Sequence, residues 1–333
     1  MSEFAPVSPP AWGKTAKTPQ ATVASIEMWL GNDPLDALVR KFGGRIPECS
    51  TAERLEWLED FSAKHWDFRA GQERNLAART DFDEATTSLI LDTAAALGLT
   101  ATTLPQRDSY SHVLILGGLV RACLLRPRYT AELVRGGLKT GSIAALSAYR
   151  PLAGDEDDLI EALGLSGKSN EMEAMEAGLA AAFDLREPAD ERRHDAPDSV
   201  FGTSLVRTWH SSGVPVQLVI APSPEPTVRR ANTADTYSYW ADSCARIDPN
   251  DNLLLVTSSI YLPYQHADAV RMLALPHHCS VETVGISFSE ERFGVLRQSF
   301  TATNYLQEIR SAIRSVRSLY LTATAMLDAS SGK

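Results

Sequence analysis

The stretch HVLILGGLVRA, residues 112–122, decides the fold. Val113 to Leu116 is a short apolar run that leads straight into Gly117-Gly118 and then into a helix-like segment. Four apolar residues without period-two alternation suit a strand buried on both faces. Strand, glycine turn and helix in that order aim backbone N–H groups and a helix N-terminus at an anionic ligand.

Outward from this stretch the same rhythm repeats. Strand-like runs fall at 112–116, 142–147, 215–221, 252–257 and 280–286, with helical segments near 119–135, 169–183, 200–211, 229–244 and 264–274. Such alternation predicts parallel strands joined by crossover helices. The expectation is a doubly wound, mainly parallel five-stranded Rossmann-like α/β sheet over residues 106–290. Residues 186–200, mixed in charge and holding two prolines, read as a solvated loop.

Before this domain, residues 1–20 read as a disordered Pro/Ser/Ala/Lys tail and 21–105 as an all-helical region. Ser50 and Glu53 form a capping-box signal, followed by Leu55, Leu58 and Phe61 on one face, and a further helix is expected from Asp83 to Leu97. After the domain, residues 291–333 hold a C-terminal helix. Its Leu306, Ile309, Ile313, Val316 and Tyr320 form one apolar seam that packs on the core, with a homodimer contact as the alternative.

Composition narrows the function. The 32 Lys plus Arg against 42 Asp plus Glu give a net charge of −10, which argues against nucleic acid and anionic membranes as partners. No apolar run is long enough to span a bilayer, and residues 1–20 lack the apolar core of a secretory signal. The four cysteines form no C-x-x-C pair, so reduced thiols in a cytoplasmic protein are expected. His277-His278-Cys279 lacks the spaced partners of a metal site, and no metal is expected. GGLVRA lacks the G-x-G-x-x-G spacing, which disfavours NAD and FAD.

In an open parallel sheet, ligands bind beyond the carboxyl ends of the strands. That rule selects Gly117, Gly118 and Arg121 after the first strand, and Ser147, Tyr149 and Arg150 after the second. After the third it selects Arg229, Arg230, Asn232 and Thr233, and after the fourth Thr257, Ser258 and Tyr261. Arg229-Arg230 is expected at a helix start, where cations oppose the dipole unless they grip a phosphate or carboxylate. Glu171 is the first candidate for a general base and His266 the alternative proton carrier, each weighed against an ordinary structural role.

The order of HVLILGGLVRA, IAALSAYR, NEMEAM, GVPVQLVI, RRANTADTY and NLLLVTSSIYLPYQHADA resembles the DUF218 (YdcF-like, SanA/ElyC-like) family over about residues 111–290. The resemblance implies that Gly117, Gly118 and Arg121 form a first glycine loop. It implies family roles for Ser147, Glu171, Asn232 and the Thr257-Ser258 pair. It also brings S-adenosylmethionine in as a candidate cofactor. Tyr261 and Tyr264 stand where that family has His and Arg, and Ala148 where it has Gly.

Together these readings lead to an enzyme, a transferase or hydrolase, acting on a small anionic ligand of phosphorylated, nucleotide or adenosyl type. The alternative is a non-catalytic ligand-binding or regulatory module of the same fold, with the helical region as its output surface.

Overall fold

The computed structural model describes residues 4–12, 18–68, 80–152 and 156–331. The chain falls into two compact units. Unit 1 comprises Met1–Thr102, Ser259–Pro276 and Ser299–Lys333, and unit 2 comprises Thr103–Ser258 and His277–Gln298. This division does not follow contiguous boundaries, because the chain leaves unit 2 after the fourth parallel strand and returns for the fifth.

Unit 1 opens with α1 (Pro19–Leu30), α2 (Asp33–Lys41), α3 (Thr51–Trp66) and α4 (Glu84–Ala96). α1 and α2 are separate helices because Asn32 caps the second, its Oδ1 accepting the Leu35 N–H at 2.8 Å. The capping box of α3 forms as read, Ser50 and Glu53 each accepting the other's backbone N–H. Part of the expected disordered tail is docked: Val7 N–H bonds the Ala96 carbonyl at 2.8 Å, and Ala11 is buried with its N–H on Ser25 Oγ at 2.8 Å. Residues 1–3 and 13–17 of that tail lie outside the described residues.

Unit 2 begins with β1 (Ser109–Leu116), α5 (Val120–Arg135), β2 (Lys139–Ser147), α6 (Asp157–Ala162) and α7 (Glu171–Phe183). It continues through β3 (Asp190–His194), β4 (Ser204–Ser211), β5 (Val214–Ile220), α8 (Thr233–Ser243) and β6 (Asn252–Ser258). The chain then crosses into unit 1 for α9 (Leu262–Ala269) and a π-helical turn at Val270–Ala274, and leaves it within the last turn α10 (Leu275–His277). It re-enters unit 2 for β7 (Ser280–Ile286) and ends in unit 1 with the 30-residue α11 (Ala302–Ser331). The expected apolar seam of α11 is buried at Leu306, Ile309, Ile313 and Val316, against α1, α3, α4 and α9.

The sheet has seven strands, in the order β3-β4-β5-β2-β1-β6-β7. All five expected strands are present and run parallel as β5-β2-β1-β6-β7. The other two correct the reading of the sequence. Residues 204–211, expected as a helix, form β4, and part of the expected loop 186–200 forms β3; both pair antiparallel at the β5 edge. β3 is exposed along its whole length and reads DERRH, a charged edge that discourages further strand pairing.

Val113, Leu114, Ile115 and Leu116 are all at most 2% exposed, and neighbours on a strand point to opposite faces, so the sheet is covered on both sides. β1 connects leftward to β2 and then β5, whereas β6 lies on the other side of β1. The strand order therefore reverses between β1 and β6, which is the place where open α/β sheets form a crevice.

Candidate functional site

The crevice between β1 and β6 is filled by the protein itself. Arg126, on the buried face of α5 and 1% exposed, donates from Nη1 to the carbonyls of Leu116 at 2.6 Å and Gly117 at 2.5 Å. Its Nε and Nη2 reach Ser258 Oγ at 3.2 and 2.9 Å. One guanidinium thus ties the end of β1 to the end of β6. The N-terminus of α5 is occupied as well. Its N-cap, Leu119, has no side-chain oxygen, and the Val120 N–H instead bonds the buried Glu156 carboxylate at 3.0 Å. A carboxylate from the chain sits where a ligand's anionic group would sit.

The next stretch of the rim, at the ends of β1 and β2, gathers the expected polar residues. Glu171, the first residue of α7, is 6% exposed; Arg150 Nε donates to its Oε2 at 2.9 Å and Ser147 Oγ to its Oε1 at 3.3 Å. The Glu171 N–H returns to the Arg150 carbonyl at 2.8 Å. Gly117 is required here because a Cβ would overlap the Glu171 carboxylate and lie 2.7 Å from the Leu146 carbonyl oxygen. Burial pushes the Glu171 carboxyl above its ordinary range, and Arg150, Ser147 and Arg230 pull it back.

Ser147, Arg150, Glu171 and Arg230 therefore form one group with the Gly117 backbone. The Cys123 thiol lies beneath it, donating to the Gly118 carbonyl at 3.3 Å and pushed far up by burial and then by Glu171. Arg121, in the first turn of α5, has a buried Nε with no hydrogen-bond partner among the described residues.

Other expected residues have structural work. Arg229 lies before α8, not on it, so its charge does not oppose the helix dipole as expected. Its guanidinium pairs with Glu225 at 2.9 Å and Asp235 at 2.5 Å. Asn232 is the N-cap of α8, in a capping box with Asp235, and Thr233 is the first helical residue. Thr257 and Ser258 are buried at the end of β6. Tyr261 and His266 belong to unit 1, where Tyr261 packs edge-on to Tyr264 and His266 is tilted against Trp12 with ring centres 4.8 Å apart.

Two residues of the crevice escaped sequence reasoning. Arg126 has a signal, since it is one of two arginines inside the otherwise uncharged stretch CLLRPRYTA of α5. Glu156 has none, since it stands in the acidic run DEDD. Unit 1 also holds a cavity of about 360 Å³ between Val7–Trp12 and α1, walled by Pro9, Trp12, Met28 and Trp29 and without titratable groups. None of the expected site residues lines it.

Unit 2 is thus a mixed α/β domain on a mostly parallel seven-stranded sheet with an antiparallel edge, carried in one chain with a unit that is helical among the described residues. The chain belongs to the Rv3785 family. The model of the Rv3785 N-terminal domain matches residues 13–98, which fall in unit 1. The uncharacterized proteins Rv3785 of Mycobacterium tuberculosis H37Rv and Mb3814 of Mycobacterium bovis are each 35% identical to it over 320 residues, covering 88% of this chain and 88% of theirs. No solved structure matches the chain. These matches overturn the DUF218 resemblance, whose motifs had followed the strand-end pattern common to parallel α/β sheets. S-adenosylmethionine entered only with that resemblance and loses its support. Among the described residues, no helix is long and apolar enough to cross a membrane.

Proposed function

We propose that the rim at the ends of β1 and β2 binds a small molecule bearing a phosphate or carboxylate, and that the protein is an enzyme acting on it with Glu171 as proton carrier. The observation that carries this reading is the buried Glu171 carboxyl set among Arg150, Arg230 and the side-chain-free Gly117. Burial holds its proton affinity high while two guanidiniums supply positive charge in an otherwise acidic chain. An anion docking on the guanidiniums weakens their pull on Glu171, so binding is accompanied by proton uptake. A carboxyl tuned in this way gives or takes a proton at the ligand.

The test is calorimetric titration of the full chain with phosphate, sugar phosphates and nucleoside monophosphates, in two buffers of different ionisation enthalpy. The expected result is saturable binding with proton uptake, weakened at least tenfold by Arg230→Ala. No binding by any of these compounds, or equal binding by Arg230→Ala, overturns the reading. A second reading, a non-catalytic ligand-responsive module, is favoured by the filling of the switch-point crevice by Arg126 and Glu156. Saturable binding without turnover of the bound compound selects it.

A further inference from the structure

At the opposite, amino-terminal end of the unit 2 sheet, three side chains outside the rim stand in line. Ser142 and His112 are register partners on β2 and β1, and Ser142 Oγ lies 2.7 Å from His112 Nδ1. The other ring nitrogen, Nε2, faces Asp251 Oδ2 at 3.7 Å. The turn entering β6 holds Asp251, with the Asp248 N–H donating to that Oδ2 at 2.7 Å. Trp240 of α8 meets the imidazole edge-on, ring centres 5.4 Å apart, and fixes its plane.

The order is nucleophile, base, carboxylate. Burial lowers the proton affinity of His112 below its ordinary range, and Asp251 pulls it part of the way back. A proton on Nε2, the side facing Asp251, leaves the Nδ1 lone pair for the Ser142 hydroxyl. The His112 and Asp251 side chains are 19% and 18% exposed, and Ser142 is partly exposed, so the line reaches the surface at the sheet end.

We propose that Ser142 is an activated nucleophile and that this end of the sheet hydrolyses small acyl esters. Ser142 Oγ bonds to the ester carbonyl carbon as its proton passes to His112 Nδ1. The ester C–O bond then breaks, and the leaving alcohol takes that proton. Asp251 stabilises the imidazolium that forms between these events. Water attacks the acyl-serine and gives its proton to Nδ1; Ser142 Oγ recovers it as the carboxylic acid departs. None of this depends on Glu171, which lies at the other end of the strands.

The test treats the full chain with p-nitrophenyl acetate and, separately, with a fluorophosphonate probe followed by peptide mapping. Expected are one phosphonyl adduct, on Ser142, and p-nitrophenolate release above background. Ser142→Ala, which removes one oxygen atom, abolishes both, and Asp251→Asn slows release by about a hundredfold or more with the fold intact by circular dichroism. An unlabelled Ser142 in the folded chain, a label on another residue only, or release unchanged in Ser142→Ala overturns the proposal. Labelling of Ser142 without ester turnover overturns the hydrolase assignment.

Discussion

The Val120 N–H, the first donor of α5, is held by the Glu156 carboxylate at 3.0 Å. This carboxylate comes from just before α6 and takes the place of the side-chain cap that Leu119 cannot provide. Glu156→Ala removes the acceptor and should cost about 1–2 kcal/mol, the usual loss for a missing helix cap. Glu156→Gln keeps an acceptor oxygen and should cost less. Because the vacated position attracts anions, added sulfate should raise the melting temperature of Glu156→Ala more than that of the parent chain. Equal melting temperatures for parent and alanine variant would show that the contact stabilises nothing.

Glu171 and Arg150 illustrate how unequal the two halves of a buried ion pair are. Arg150→Met leaves the carboxylate buried without its main cation and should cost roughly 3–5 kcal/mol near neutral pH. Glu171 also carries a pH signature. Its folded-state carboxyl is raised by burial, so the folded chain holds that proton more tightly than the unfolded one. Its contribution is therefore greatest at low pH and falls as pH rises through and beyond the ordinary carboxyl range. Urea midpoints at pH 5 and pH 7 should show that Glu171→Gln loses less stability across this interval than the parent does.

His266 sets the opposite sign in unit 1. Burial lowers its pKa to about 4 against an ordinary 6.5, with the Pro10 and Ala11 backbone pulling upward. Between these values the unfolded chain binds the proton and the folded chain does not, so stability is full above pH 6.5 and declines as pH falls towards 4. The span corresponds to on the order of 3 kcal/mol. The calorimetric melting temperature of the chain at pH 7, 6 and 5 should fall progressively in the parent and less steeply in His266→Gln. Parallel slopes would remove His266 from the account.

The parallel strands were readable because burial on both faces leaves uninterrupted apolar runs such as Val113–Leu116 and Leu253–Val256. β4 was not. Its buried Leu205, Val206 and Trp209 are spaced i, i+1, i+4, a pattern that a helix shares, and β3 has no apolar residue at all. At the rim, the strand-end rule reached Gly117, Ser147, Arg150 and Arg230, because topology alone brings those loops to one side. It could not foresee that Arg229 is held by Glu225, four residues earlier, and by Asp235, or that Arg126 crosses from α5 to β6. Those pairings depend on which charges the folded chain can satisfy internally, and strand order carries no record of them.

One signal of the hairpin was present in the sequence. Ser211 and Val214 pair across a two-residue loop, with φ of 51° at Ser212 and 81° at Gly213. Two positive φ values in a row match the twist of a tight hairpin, and a Ser-Gly dipeptide between apolar runs suits it. This turn sets the β4–β5 register and so fixes the strand whose far end leads to the Arg230 loop. Gly213→Ala forces a Cβ into the left-handed region and should cost roughly 1–2 kcal/mol. Ser212→Asn, which tolerates that region better, should be neutral or slightly stabilising. Thermal melts of both variants check the pair, and an unchanged melting temperature for Gly213→Ala would mean that the register is held by β4–β5 packing and not by the turn.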